Sequence, residues 1–179
     1  MDGGTMHDLG TYLELDGRPA VRFERTYPHP VDRVWAAVTE PDQLVRWFPS
    51  AVDLEPRVGG TVRFSGDPYS EGSTGVVLAW DPPHRLAFTW GPDELHLTLA
   101  DAGEGSCRFV LVNVLSDRSA AARNAGGWHV CLAELAKLLE GVPSRGPHSE
   151  DTEPWEPVYR AHVDAGLPAG APVPDVVTR

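Results

Sequence analysis

Between Pro30 and Pro49 the chain reads PVDRVWAAVTEPDQLVRWFP, and this stretch limits the fold more than any other. Val31, Val34, Trp35 and Val38 fall at i, i+3, i+4 and i+7, one face of a helix. Thr39-Glu40-Pro41 ends that helix, because the residue before a proline is pushed out of the α region. A second short helix then presents Leu44, Trp47 and Phe48 before Pro49 stops it. Two amphipathic helices with inward tryptophans need a broad apolar surface opposite them.

The rest of the chain supplies that surface as strands. TYLEL, an Asp16-Gly17 turn and AVRFERTY predict a β-hairpin over 11–27. Five further runs, Thr61–Ser65, Gly75–Trp80, Arg85–Trp90, Glu94–Ala100 and Cys107–Leu115, read as strands separated by Gly, Asp and Pro turns. Val52–Glu55 adds a short edge strand. Alternation puts Val62 with Phe64 on one face. It likewise groups Val76, Leu78 and Trp80; Leu86, Phe88 and Trp90; and Leu95, Leu97 and Leu99. The Cys107 run is apolar on both faces, which predicts a central strand or a covered outer face.

From Ser119 to Glu140 the period becomes helical. Ala121, Ala125, Trp128, Leu132, Leu135 and Leu139 form one stripe, with Ser119 as cap and Gly141-Val-Pro143 as stop. Gly126-Gly127 inside this helix costs about 1 kcal/mol per glycine relative to alanine. That predicts a close approach by a sheet or ligand, or a bend. Beyond Gly141 a Pro/Ser/Gly-rich linker (142–151) leads to Trp155, Val158, Tyr159, His162 and Val163 at helical spacing, and to a flexible PAGAPVPDVVTR tail.

Bulk properties remove whole classes of function. The net charge of -11 opposes nucleic acid and anionic membrane surfaces as partners. No apolar run approaches the roughly 20 residues that span a bilayer, and MDGGTMHDLG is unlike a secretory signal. Two cysteines, Cys107 and Cys131, carry no metal-type spacing. A cytoplasmic protein is expected. Motifs for a Ser–His–acid triad, a zinc protease or a phosphate loop are lacking, so no catalytic residue, metal ligand or cofactor is assigned.

Helices, an antiparallel meander and one long helix make an α+β arrangement. At this level the chain resembles the START-like (SRPBCC) helix-grip superfamily, in the branch named after the Hsp90 ATPase activator's C-terminal domain. The matching pieces are PVDRVWAAVTEPDQLVRWF at 30–48, PRVGGTVRF at 56–64, DPPHRLAFTW at 81–90 and GWHVCLAELAKLLEG at 127–141. Residues 151–168 resemble an extension seen in bacterial members. The resemblance implies a curved antiparallel sheet wrapped around the C-terminal helix, with a cavity between them that holds apolar or amphipathic molecules in many relatives. The domain is then 1–141, with 142–179 as linker, docking helix and tail. Some relatives are polyketide aromatase/cyclases, and the branch name does not by itself imply activity on a chaperone.

The residues place the same cavity. Phe64, Leu78, Trp80, Phe88, Trp90, Leu97, Phe109 and Leu111 are expected to face Trp128, Leu132 and Leu135, with Trp35 and Trp47 closing one end. Aromatic walls with few polar groups suit a small-molecule pocket, although plain core packing produces the same pattern. Asn113 is the polar residue on that face, and it either satisfies backbone or reads a ligand. His129 flanks the buried stripe, His96 faces outward, and His29, His84, His148 and His162 fall in turns or tail. Arg46, Arg57, Arg63 and Arg85 are expected on the solvated surface. The expected function is non-catalytic binding of a hydrophobic or amphipathic small molecule. The alternatives are an aromatase/cyclase-type enzyme and an interaction module, whether a homodimer or a chaperone- or stress-linked partner.

Overall fold

A computed structural model of the chain describes residues 8–67, 72–149, 152 and 154–173. The hairpin forms as β1 (Thr11–Leu15) and β2 (Arg18–Tyr27). Asp16 and Gly17 both take positive φ, 52° and 78°, as a two-residue turn of this twist demands. Then come α1 (Val31–Thr39), α2 (Pro41–Leu44) and β3 (Ala51–Leu54). Strands β4 (Thr61–Ser65), β5 (Ser73–Asp81), β6 (Arg85–Trp90), β7 (Asp93–Gly103) and β8 (Ser106–Val114) complete one antiparallel sheet. Its strand order is β1-β2-β8-β7-β6-β5-β4-β3. The long helix α3 (Ala121–Glu140) and a shorter α4 (Trp155–Asp164) follow.

The strand register builds the inner wall as rows. Val21, Asn113, Leu95, Phe88 and Val77 align across five strands, and Phe23, Leu111, Leu97, Leu86 and Trp80 form the next row. Strand β8 lies between β2 and β7, which explains its apolar character on both faces. Outside, charges take over: Arg22 and Arg108 both reach Glu24, at 2.8 and 2.6 Å, and Arg18 reaches Glu94 at 3.1 Å.

Strand β5 departs from simple alternation. A register shift between Val77 and Ala79 sets Leu78 and Ala79 opposite Ala87 alone. This bulge turns Val77 inward and sends Leu78 outward, 40% exposed, together with Val76. Grouping Val76 and Leu78 with Trp80 is therefore corrected. One extra residue reverses the faces on its two sides, and Trp80 keeps its place in the inner row.

Helix α3 is preceded by a 3-10 turn over Arg118–Ala120 that Asp117 caps, and α3 itself starts from Ala120 with no side-chain cap. The Asp117 carboxylate accepts from Ser119 N–H at 2.9 Å, which displaces Ser119 from the expected capping role. Gly141, at φ 76°, ends the helix. Helix α1 lies against β7, β8 and α3, and α3 touches β2 and packs along α4.

The C-terminal residues are more closely held than their composition suggests. A Cβ on Gly126 would lie 3.0 Å from the Trp155 indole nitrogen and 3.2 Å from the Tyr159 Cα, so the close approach belongs to a helix, α4. His162, expected in the tail, is fully buried. Its Nε2 accepts from Gly10 N–H at 2.9 Å, and its Nδ1 lies 2.9 Å from the Val158 carbonyl. Past α4, Pro168 O accepts from Ala122 N–H and Ser119 O from Ala171 N–H, so residues 168–171 pack on the start of α3. The remainder of the expected flexible tail, 174–179, lies outside the described residues.

Candidate functional site

Phe48 is the centre of the inner space. Its ring meets Phe64 of β4 at 6.2 Å, Phe88 of β6 at 6.2 Å, Trp90 of β6 at 5.8 Å and Trp128 of α3 at 5.5 Å. The space between sheet and helix, expected as a cavity, therefore holds a side chain from the segment after α2. Sequence reading placed Phe48 on an apolar face but did not assign it to the site. Its signal was local: an aromatic pair followed by Pro49, too long for the four-residue helix it follows.

The other site residues fall into distinct positions. Leu97, Phe109 and Leu111 on the sheet and Leu132 and Leu135 on α3 are buried in the same core. Trp35 is half-buried and packs on Trp80 at 5.2 Å, one row of the sheet from Phe88 of the Phe48 cluster. Trp47 is fully buried, and its indole N–H donates to the Ala37 carbonyl at 2.9 Å, which fastens it to α1. Leu78 faces outward and takes no part.

Asn113 is completely buried, and every hydrogen-bonding position of its amide is used. Its Oδ1 accepts from the Trp128 indole at 3.0 Å and from Asn124 Nδ2 at 3.1 Å. Its Nδ2 donates to the carbonyls of Glu94 at 3.2 Å and Val114 at 3.4 Å. An amide offers two donors and two acceptor sites, so nothing remains for a ligand while this arrangement holds. Asn113 fixes the orientation of Trp128, one wall of the cluster. The Asn113 Nδ2 serves backbone carbonyls and its Oδ1 serves two side chains.

A groove of about 700 Å³ opens beside this cluster. It lies between Pro41 at the start of α2 and the β3–β5 edge of the sheet, and Ala51, Val52 and Phe64 form its apolar side. Ser65, Ser73 and Thr74 supply hydroxyls, with Asp53 and Arg63 at the rim. Phe64 touches both this groove and Phe48, so it is the partition between open and filled space. Of the four arginines expected on the surface, Arg63 is exposed and also borders this groove.

Residues 142–149, expected as a linker, run back over the Phe48 segment. Ser144 is buried, its hydroxyl 2.6 Å from the Arg46 carbonyl and 2.9 Å from Glu134 Oε2. Glu134, on α3, is 1% exposed and also pairs with Lys137 at 3.2 Å. His148 Nε2 donates to the Pro49 carbonyl at 2.9 Å.

Among the described residues, the groups with shifted titration do not converge on Phe48. Burial raises the thiols of Cys107 and Cys131, which suppresses thiolate formation. Burial also lowers the imidazoles of His129 and His162, which sit together on the α4 side with rings 6.1 Å apart. Among the described residues, no group of His, Cys, Asp and Glu is placed to hold a metal ion, and no helix is long and apolar enough to cross a membrane.

Comparison with known proteins extends these observations. The family model described as "Activator of Hsp90 ATPase homolog 1-like protein" matches residues 28–140. Among solved structures, a Bordetella parapertussis protein (BPP1335) is 29% identical, with a TM-score of 0.66 over 90% of this chain and 92% of its own. CalU16 from Micromonospora echinospora is 22% identical, with a TM-score of 0.69 over 92% and 95% of the two chains. A conserved Enterococcus faecalis protein of unknown function (EF2215) is 18% identical, with a TM-score of 0.69 over 87% and 89%. The last two show likeness of fold alone. No curated protein matches the sequence.

Proposed function

We propose that this chain, which belongs to the Activator of Hsp90 ATPase homolog 1-like family, binds an apolar or amphipathic small molecule between its curved sheet and α3 without transforming it. The observation that carries this reading is Phe64, which belongs to the buried aromatic cluster under α3 on one side and lines a groove of about 700 Å³ at the β3–β5 edge on the other, so that the groove is an approach to that space. That volume lies in the range of small-molecule sites, and apolar walls with a few hydroxyls at the rim are their usual lining.

Burial is the mechanism. Each Å² of apolar ligand surface leaving water contributes about 25 cal/mol, so about 200 Å² contributes about 5 kcal/mol before ordering costs. Ser65, Ser73, Thr74 and Arg63 at the groove would meet a polar end. A cyclase-type reaction would need a titratable group beside Phe48, whereas Asn113 is fully committed to holding Trp128 and the backbone.

Native mass spectrometry of the chain purified from its own host tests the reading. A co-purifying small molecule is expected, and it should be lost in Ser73→Trp, where the indole fills the groove. A bare chain that also takes up no added N-phenyl-1-naphthylamine, a neutral apolar fluorophore, overturns it.

A further inference from the structure

Phe48 sits where the ligand would have to go. It touches Phe64, Phe88, Trp90 and Trp128, so withdrawing this one ring would leave a void bounded by sheet and helix. Its neighbours allow that movement from one side only. Trp47 is tied to α1 through the Ala37 carbonyl. On the other side, Pro49 and Ser50 lead into β3, a four-residue edge strand paired with β4 alone. An edge strand with one neighbour is the part of a sheet that opens most readily.

The segment that leaves α3 contacts this side directly. Ser144 reaches the carbonyl of Arg46, two residues before Phe48, and His148 reaches the carbonyl of Pro49, one residue after it. Gly146 passes so close that a Cβ there would lie 3.3 Å from the Val45 carbonyl. Glu134 fastens the arrangement to α3 through Ser144, which gives a buried carboxylate in an apolar helix face a structural purpose.

We propose that Phe48 is a removable plug in the grip and that residues 144–148 are a strap that keeps it there, so that loosening the strap admits the ligand. This rests on the binding reading above and adds its control. The plug fills the site with apolar surface when no ligand is present, which protects the interior from water. A ligand then competes with Phe48 for the same walls, and its affinity is lowered by the fraction of molecules in which the plug is out.

Two measurements on the full chain test the proposal, on wild type, Ser144→Ala, Phe48→Ala and the double variant. Hydrogen exchange of amides 45–48 and 50 without any ligand reads the strap. In Ser144→Ala it should quicken about threefold or more, the consequence of losing a typical hydrogen bond, while amides of β6–β8 stay unchanged. Stopped-flow uptake of N-phenyl-1-naphthylamine reads the plug. Uptake should quicken in Ser144→Ala and further in Phe48→Ala, and adding Ser144→Ala to Phe48→Ala should then change nothing, because the strap has no plug left to hold.

Unchanged exchange at 45–48 and 50 overturns the strap. Faster exchange with equal uptake in wild type and Ser144→Ala overturns the gate and leaves the binding reading standing. Faster exchange with no uptake by any of the four proteins overturns the binding reading and the gate together.

Discussion

The concave face of the sheet is closed in two different ways. Over β2 it is closed by α3 and by His162 of α4, whose ring meets Phe23; α4 also reaches the N-terminal segment at Gly10 and presses on α3 at Gly126. Over β4–β6 it is closed by the ring of Phe48, held among five other rings and pinned by backbone contacts to residues 144–148. The first closure uses directional bonds inside the core, and the second uses apolar contact with polar pins on its outside. Apolar contact can be replaced by any molecule of suitable shape, whereas a buried hydrogen bond cannot. On the proposed binding reading, the ligand would take the Phe48 side, and the α4 side would stay in place.

Phe48→Ala presses hardest on this contrast. Removing a buried phenylalanine costs about 3–5 kcal/mol, and here bound N-phenyl-1-naphthylamine should restore part of that loss in urea unfolding. A full loss with no recovery at saturating probe would make Phe48 ordinary core. Gly126→Val attacks the other closure: its side chain meets Trp155 and Tyr159, and overpacking of this kind costs about 1–3 kcal/mol. Here the probe should restore nothing. Recovery by the probe would show that the α4 side is replaceable too.

A smaller effect is expected from acid. The imidazoles of His162 and His129 are held below their ordinary value by burial, with Arg25 contributing in the same direction at both. Asp8 opposes this at His129. Below pH 6.5 the unfolded chain therefore binds more protons than the folded one. The stability these groups contribute is complete above that pH and is lost as pH falls through their folded values. A proton on His162 Nε2 also removes the acceptor for Gly10 N–H, a bond worth about 1 kcal/mol. Urea midpoints should fall from pH 7 to 5, and His162→Gln should flatten that slope; an unaltered slope assigns the acid response elsewhere. Smallest of all, Gly127→Ala has open space around its Cβ and should gain up to about 1 kcal/mol, the reverse of its neighbour. A loss there would mean that α3 needs its glycine pair for flexibility rather than for the passage of α4.

Local chemistry was legible and long-range chemistry was not. The Asp16-Gly17 turn, the stop at Pro41 and the bounds of Thr61–Ser65 and Arg85–Trp90 follow from residues within a few positions, and the structure has them where the sequence puts them. The bulge at Val77–Ala79 was hidden because both alternation patterns of VVLAW place apolar residues inside. Ser119 as cap lost to Asp117 by two residues, where either side chain has the chemistry. The burial and partners of His162 and Ser144 were not legible. Their partners, Gly10 and Arg46, are 152 and 98 positions away, and no periodicity carries that information. The site was legible as a set of apolar walls, whereas the residue filling it was not, because Phe48 reaches the space from outside every regular element.

The bond between Gly10 and His162 has a consequence for the order in which the molecule is made. Strand β2 gains its second neighbour only when β8 is available, and Gly10 only when α4 is. A chain emerging from the ribosome would carry its first hairpin without its main partner until residue 114 is free, and without its final lock until residue 162 is. Such an exposed hairpin is a ready partner for other nascent chains. Its short turn and the charges on its outer face, Arg22 and Glu24 among them, are then as much a safeguard during synthesis as a feature of the finished sheet.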